Sequence, residues 1–236
     1  MNIHSFPFGE SNLAYLIWNG GEAAAVDGGA AEEIIRFCRE QGLVLRYVLN
    51  THDHADHTPG NSRLLEAGFE GSFPLLISPG AARDQGKIFL GQEALHVLAV
   101  PGHTEDSVVF FTGGWIISGD TLFTGTVGNC YTGNYELYFD SLSRLLELPS
   151  DLPVYPGHDL FDYAVGVIKT IDPGNPYLTK YITMYNKSNL WTTLEAELRV
   201  NPFIRWNDSS LDAYRAALKQ PVETPYQRFR AMMTIH

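Results

Sequence analysis

The chain has 236 residues, 44% of them hydrophobic and 18% charged, which is enough for one large domain, or one domain with a substantial appendage. Its formal net charge of −11 argues against nucleic-acid binding, because phosphates require a basic face. No stretch approaches the ~18 to 20 consecutive apolar residues of a membrane span. The first residues lack the basic start and apolar stretch of a signal peptide, and two cysteines are too few for a disulfide framework. We therefore expect a cytoplasmic protein with no membrane or nucleic-acid partner.

The first part of the chain alternates β-rich runs with glycine-rich turns. Asn19-Gly20-Gly21 is typical of a hairpin turn between two strands. Gly42 follows a run with helical apolar spacing and is typical of a helix stop. The elements predicted here are strands at 12–17, 23–26 and 44–49 and helices at 31–41 and 61–67.

The pattern changes after residue 160. Before it, further strands are predicted at 75–78, 95–100, 108–112, 115–118 and 153–155, with a helix at 142–148. After it, helical patterns alternate with prolines, at Pro173, Pro176, Pro202, Pro221 and Pro225. We predict a mixed α/β domain over residues 1–160 and a helical C-terminal region over residues 161–236.

Residues 51–57, with the sequence THDHADH, hold three of the eight histidines and follow an apolar strand. Four further loops or turns with ligand-type side chains also adjoin strands: Asp27-Gly28-Gly29, Gly102-His103-Thr104, Gly119-Asp120-Thr121 and Gly157-His158-Asp159. A rigid sheet can hold such side chains in fixed positions, which a binding site requires.

Together these segments offer five histidines and two aspartates as metal ligands: His52, His54, Asp56, His57, His103, Asp120 and His158. Seven ligands exceed what one tetrahedral ion takes, and they suit two divalent ions about 3.5 to 4 Å apart that share a carboxylate. Taken alone, His103 or His158 is more often a hydrogen-bonded structural residue, and Asp120 a helix cap or turn residue. Asp27 is equally a turn former or a partner that orients a ligand histidine. The joint occurrence of the set favours a dinuclear metal site.

The order of these motifs resembles that of the metallo-β-lactamase superfamily and, within it, of glyoxalase II, the hydroxyacylglutathione hydrolase. The resemblance covers almost the whole chain, and includes the segments 119–123, 172–176 and 201–205. It implies an α/β fold of the αββα four-layer type with a helical C-terminal cap. It also implies that His52, His54 and His103 hold one metal ion, that Asp56, His57 and His158 hold the other, and that Asp120 bridges.

The implied reaction is hydrolysis of a small-molecule thioester, such as S-hydroxyacylglutathione, by a hydroxide that bridges the two ions. Asp56 and Asp120 are then the catalytic carboxylates and Tyr131 contacts the substrate. The glyoxalase II pattern has a lysine where this chain has Asn129 and a tyrosine where it has Leu160, and the basic cluster near its C-terminus is largely missing here. Zinc is favoured over iron or manganese as the metal.

Three alternatives stay open from the sequence. The first is a different two-metal hydrolase, acting on other thioesters, lactones or phosphodiesters. The second is a persulfide dioxygenase with a single iron, although residues 125–129 lack the arginine-and-aspartate segment of those enzymes. The third is a metal-binding or partner-binding protein without activity, against which the complete ligand set argues.

Overall fold

The computed structural model describes residues 1–187 and 190–235, and shows two mixed β-sheets covered by helices. The strands are β1 (Asn2–Phe8), β2 (Asn12–Asn19), β3 (Glu22–Val26), β4 (Val44–Leu49), β5 (Leu75–Ile77), β6 (Lys87–Leu90), β7 (Glu93–Ala99), β8 (Val108–Phe111), β9 (Ile116–Gly119), β10 (Pro153–Pro156) and β11 (Thr192–Thr193). The helices are α1 (Ala31–Gln41), α2 (Asn61–Leu65), α3 (Pro79–Gln85), α4 (Tyr135–Leu145), α5 (Phe161–Ile171), α6 (Leu178–Met184), α7 (Leu194–Val200), α8 (Asp212–Ala217) and α9 (Pro225–Met232).

The first sheet has the strand order β1-β2-β3-β4-β5 and the second has the order β11-β10-β9-β8-β7-β6. One apolar cluster lies between them and combines β2 residues such as Tyr15 and Ile17 with second-sheet residues such as Phe110 and Ile117. Separate clusters pack α1 and α2 on the outside of the first sheet and α4 and α9 on the outside of the second. This arrangement is the predicted αββα order of layers.

Most predicted elements of the sandwich lie where the sequence placed them. Helix α1 has the predicted bounds and ends at Gly42, whose φ of +63° is a left-handed conformation that glycine adopts easily. The helix predicted at 142–148 was wrong in its bounds, because Asn134 caps a helix that starts at Tyr135 and ends at Leu145. The helix predicted at 61–67 ends at Leu65.

Four elements of the described chain were absent from the sequence prediction: β1, α3, β6 and the two-residue strand β11. Strand β1 is an edge strand whose side chains are mostly only half-buried or exposed, so its pattern is weak. Helix α3 begins with Ser78 as N-cap and Pro79 in the first turn, but its short sequence has few apolar side chains to show helical spacing.

The helical region after residue 160 is joined to the sandwich by β11, which pairs with β10 in the second sheet. Phe203, Phe229 and Met232 from this region share an apolar cluster with Leu142 and Val154. The division at residue 160 stays a prediction about domains. The longest described helices have eleven residues, and none is both long and apolar enough to cross a membrane.

Candidate metal centre

The site lies at one edge of the sandwich, where loops from both sheets meet. The loop after β4 supplies His52, His54, Asp56 and His57 from the first sheet. This loop is fixed internally, because Asn50 Nδ2 donates to the His57 carbonyl at 2.9 Å and the His57 N–H donates to the His54 carbonyl at 3.0 Å. Its histidines are thus carried on a folded loop.

The second sheet supplies His103 after β7, Asp120 after β9 and His158 after β10. The glycine before each of the last two allows a close approach. A Cβ on Gly119, whose φ is +51°, would lie 2.5 Å from Thr51 Oγ1, and a Cβ on Gly157 would lie 2.1 Å from Asp120 Oδ1. Only glycine at these two positions lets the loops of the two sheets come together as they do.

Five imidazoles and two carboxylates converge here, as the sequence predicted. Candidate ligand atoms lie within 4.8 Å of one another in three groups: His52, His54 and His103; Asp56, His57 and His158; and His52, His57 and Asp120. Asp120 lies between the first two groups, with Oδ1 3.3 Å from His57 Nε2 and Oδ2 3.5 Å from His103 Nε2. The geometry is that of two adjacent sites with a shared carboxylate, while the assignment of each ligand stays a prediction.

Four of the histidines are oriented by a hydrogen bond on Nδ1, which is here the outer ring nitrogen, the one that faces away from the centre of the cluster. Nδ1 of His57 lies 3.0 Å from Asp27 Oδ2, and Nδ1 of His103 lies 2.9 Å from the Asn129 carbonyl. The other outer contacts join His52 Nδ1 to Thr51 Oγ1 at 3.0 Å and His158 Nδ1 to Ser11 Oγ at 3.1 Å. With Nδ1 carrying the proton, Nε2 of each ring presents its lone pair to the site, as metal-ligating histidines do. His54 is reversed and presents Nδ1.

Asp27 is the residue that holds this arrangement together, and of its two sequence interpretations the structure supports that of an orienting partner. It is fully buried and has a φ of +50°, an uncommon conformation for a residue with a side chain. Its carboxylate accepts from the Thr51 N–H at 2.8 Å and from Thr51 Oγ1 at 2.7 Å, in addition to facing His57. Because the Thr51 hydroxyl donates its proton to Asp27, its oxygen is free to accept a hydrogen bond from His52 Nδ1. The Asp27 carboxylate therefore orients His57 directly and His52 through Thr51.

The residues fit a pair of metal ions on two observations. Nε2 of His57 and Nε2 of His158 are 3.1 Å apart although both outer nitrogens are engaged elsewhere, so two lone pairs face each other across a space that a cation would fill. Asp120 Oδ1 is buried and has no hydrogen-bond partner among the described residues. A buried carboxylate oxygen without a donor is costly unless it coordinates a metal.

The electrostatics of the cluster also suit a cation. Burial lowers the pKa of His52 to about 4 and lowers the pKa of His103, so both imidazoles are neutral at pH 7, which is the form that binds a metal ion. Burial opposes ionisation of Asp120, but the neighbouring His158 and His57 imidazoles hold the pKa of its carboxyl well below the usual range. Burial by itself lowers the pKa of His57, but the carboxylates of Asp27 and Asp120 outweigh it and raise that pKa to about 11. The carboxylates therefore favour a positive charge at this position, which a metal ion can supply in place of the proton.

An open cleft of about 460 Å³ lies over the cluster. Its lining residues are His103, Asp120, Phe123, Gly128, Asn129, Tyr131, His158, Leu160 and Tyr163. Tyr131 lies where the sequence predicted a substrate contact, with its ring 5.2 Å from the His103 ring and 66% of the residue exposed. Tyr163, on the first turn of α5, was not predicted. Its three-residue spacing from Leu160 is the sequence signal that could have placed it on the same side of the helix start.

The basic residues near the C-terminus are committed elsewhere. Arg228 donates to the backbone carbonyls of Trp206 at 2.5 Å and Val222 at 3.0 Å. The Arg230 guanidinium lies 3.9 Å from the centre of the Tyr135 ring. Neither residue lines the cleft.

Comparisons with known proteins agree with this geometry. The family model of the metallo-beta-lactamase superfamily matches residues 8–74 and 70–158. The hydroxyacylglutathione hydrolase of Vibrio cholerae serotype O1 is 32% identical over 226 residues, which cover 89% of this chain and 89% of that protein.

Two solved structures give the same fold. ETHE1 from Myxococcus xanthus aligns with a TM-score of 0.65 and 24% identity, and covers 99% of this chain and 90% of that one. TTHA1623, solved in a di-iron-bound form, aligns with a TM-score of 0.59 and 27% identity, and covers 85% of this chain and 99% of that one. These alignments confirm the αββα sandwich.

Proposed function

The chain belongs to the metallo-beta-lactamase superfamily and is a metal-dependent hydrolase, and we propose that it cleaves S-acyl thioesters of the hydroxyacylglutathione type. The observation that carries the proposal is the convergence of five imidazoles and two carboxylates at the floor of an open cleft. The name of the Vibrio cholerae relative supplies the choice of substrate class.

We assign the ligands in two sets that share Asp120. His52, His54 and His103 would hold one ion, and Asp56, His57 and His158 the other. Two divalent ions, when bound, supply activated water near neutral pH and polarise the carbonyl that is attacked. Zinc is the first candidate because imidazole and carboxylate are its common ligands, and the di-iron form of TTHA1623 makes iron the second.

The residues of the chain have distinct tasks in this reaction. Asp56 is about half exposed, and its Oδ2 accepts from Asn12 Nδ2 at 3.0 Å and lies 3.3 Å from His158 Nε2. Burial raises the pKa of its carboxyl, but the hydrogen bond from Asn12 and the charge of His57 outweigh that effect and lower it, so Asp56 is ionised and can orient the attacking water. Asp120 fixes the distance between the two ligand sets. No strong general acid is needed, because a thiolate leaves readily when its thiol has a pKa near ~8.5.

The test is the release of free thiol from S-D-lactoylglutathione by the metal-loaded protein, with metal content measured on the same sample. We expect thiol release, two metal ions per chain, and loss of both on chelation. Turnover of lactones without thiol release would overturn the thioesterase assignment and leave a different two-metal hydrolase. One iron per chain with oxygen consumption on a persulfide would identify the dioxygenase alternative.

A further inference from the structure

The walls of the cleft are aromatic and neutral. Phe123 and Leu160 contribute apolar surface, and Tyr131 and Tyr163 are 66% and 53% exposed. Tyr131 is on the loop that carries the Asn129 carbonyl, while Tyr163 is on α5, which follows His158. The two phenol rings therefore reach the same cleft from different elements.

No lysine or arginine is among the residues that line the cleft within the described chain. The charge beside the walls is acidic, since Asp162 is exposed next to Tyr163. Arg228 and Arg230 are held by Trp206 and Tyr135. A carboxylate on the thiol part of a substrate would find no lysine or arginine on these walls, and the charge-assisted hydrogen bonds that such a side chain donates are the strong ones.

Given the thioesterase function above, we propose that this cleft selects thioesters whose thiol part is uncharged, and that Tyr163 together with Tyr131 recognises that part. Aromatic rings bind amide and apolar groups through area and stacking and require no opposite charge. Thioesters of glutathione, which has two carboxylates, would then bind without a contact from a lysine or arginine of the cleft to those carboxylates. Tyr163 would be a specificity-determining residue of the cleft.

The test uses two substrates that differ in one group: the S-lactoyl thioesters of N-acetylcysteine and of N-acetylcysteine amide. We expect kcat/KM of the wild-type holoenzyme to be roughly tenfold higher for the amide, because the carboxylate must lose hydration against cleft walls that offer it no lysine or arginine. Equal rates or a preference for the carboxylate would overturn the proposal. Asn129→Lys, which adds a cation at the cleft wall, is expected to reverse the preference.

The role of Tyr163 is tested on the amide substrate. Tyr163→Ala should raise KM by roughly tenfold with little change in kcat, and Tyr163→Phe should retain most of the binding because the ring remains. Tyr177→Ala removes a tyrosine that is also exposed but lies outside the cleft, and should change neither constant. A normal KM for Tyr163→Ala would overturn the assignment of this residue.

A binding measurement distinguishes failure of the thioesterase function from failure of the proposed selectivity. S-alkyl thioethers of the same two thiols have no scissile carbonyl, and calorimetry reports their affinity for the holoenzyme directly. If neither thioester is hydrolysed, tighter binding of the amide thioether still supports the cleft selectivity and only the reaction is wrong. Equal affinities, or binding of neither thioether, would overturn the selectivity itself.

Discussion

The floor of the cleft and its walls are built in opposite ways. On the floor, His52, His57 and Asp120 are at least nine-tenths buried, and most outer imidazole nitrogens have a fixed partner. On the walls, Tyr131 and Tyr163 are more than half exposed. The floor sets the reaction, because its atoms must hold their mutual distances closely. In our proposal the walls select the substrate, and we expect their side chains to tolerate substitution without disturbing the floor.

Removing the metal ions should have the largest effect on activity, because the side chains of the floor remain but can no longer activate water or polarise the carbonyl of the substrate. Chelation of the purified protein should lower kcat/KM for thioester hydrolysis by about 1,000-fold or more, since the water would no longer be activated. Restoring the metal should restore the rate in the wild type but not in Asp120→Asn, in which the shared carboxylate is lost. Full activity with no bound metal, measured by elemental analysis, would contradict the assignment.

A second prediction compares two glycines, one at the floor and one behind a wall. Alanine at Gly157 would place a Cβ 2.1 Å from Asp120 Oδ1 and 2.9 Å from His57 Cε1, so both side chains must shift. We expect kcat/KM to fall by about 100-fold, the scale of a displacement near 1 Å.

The matched control is Gly166→Ala on α5, where the space around a Cβ is open. It should keep the activity and raise the free energy of unfolding by roughly 0.5 to 1 kcal/mol, because alanine is the better helix former. If the two variants behaved alike, the contrast between floor and wall would be wrong.

The third prediction concerns the carboxylate beneath the floor. Asp27→Asn removes the charge that faces His57 and places an amide N–H₂ where Thr51 donates. Metal affinity or kcat/KM should fall by about 10- to 100-fold, the usual effect of losing a partner that orients a ligand histidine. Asp53→Asn, an exposed change in the same loop, should alter neither quantity. A metal titration of the two variants compares them directly.

The proximity of the floor residues to one another could be predicted from the sequence, whereas most of the wall could not, for a physical reason. Metal ligands are chemically distinctive, and His52, His103 and His158 each follow a predicted strand, so their convergence follows from the edge of a sheet. Tyr163 and Thr51 are ordinary residue types whose roles depend on tertiary neighbours. The link from Asp27 through Thr51 to His52 joins segments 24 residues apart, and no spacing rule specifies it.

The missed elements have the same origin. Strand β1 contains Pro7, and its side chains are mostly half-buried or exposed, so neither propensity nor alternation indicates it strongly. It is specified by pairing with β2 over seven residue pairs, from Asn2 with Trp18 to Phe8 with Asn12. Tertiary pairing of this kind determines an edge strand more than its own sequence does.

The smallest expected effect on catalysis comes from a substitution on α7, in the helical region, at a residue that supports one wall of the cleft. Glu197 on α7 is fully buried and accepts from Gly125 N at 2.9 Å, Asn201 Nδ2 at 2.9 Å and Tyr181 Oη at 2.5 Å. Asn201 also donates to the Thr126 carbonyl at 3.0 Å, so this carboxylate anchors the loop between Asp120 and Tyr131. Glu197→Ala should lower the free energy of unfolding by about 1 to 3 kcal/mol, because buried donors lose their acceptor.

The variant Glu197→Gln tests the role of this carboxyl through the pH dependence of the free energy of unfolding. Burial raises the pKa of Glu197 from 4.5 to about 6, against the lowering effect of its hydrogen bonds to Tyr181, Asn201 and Gly125. A raised pKa means that the folded state binds the proton more tightly than the unfolded chain. Stability from this group is therefore present below pH 4.5 and is lost as the pH rises through about 6.

The glutamine side chain does not titrate in this range. Between pH 5 and 7.5 the free energy of unfolding of the wild type should therefore fall by on the order of 1 kcal/mol relative to that of the variant. Urea unfolding of both proteins with chelator present measures this difference without a contribution from metal loss. A difference that did not change with pH would show that Glu197 has the same pKa in the folded and unfolded chains.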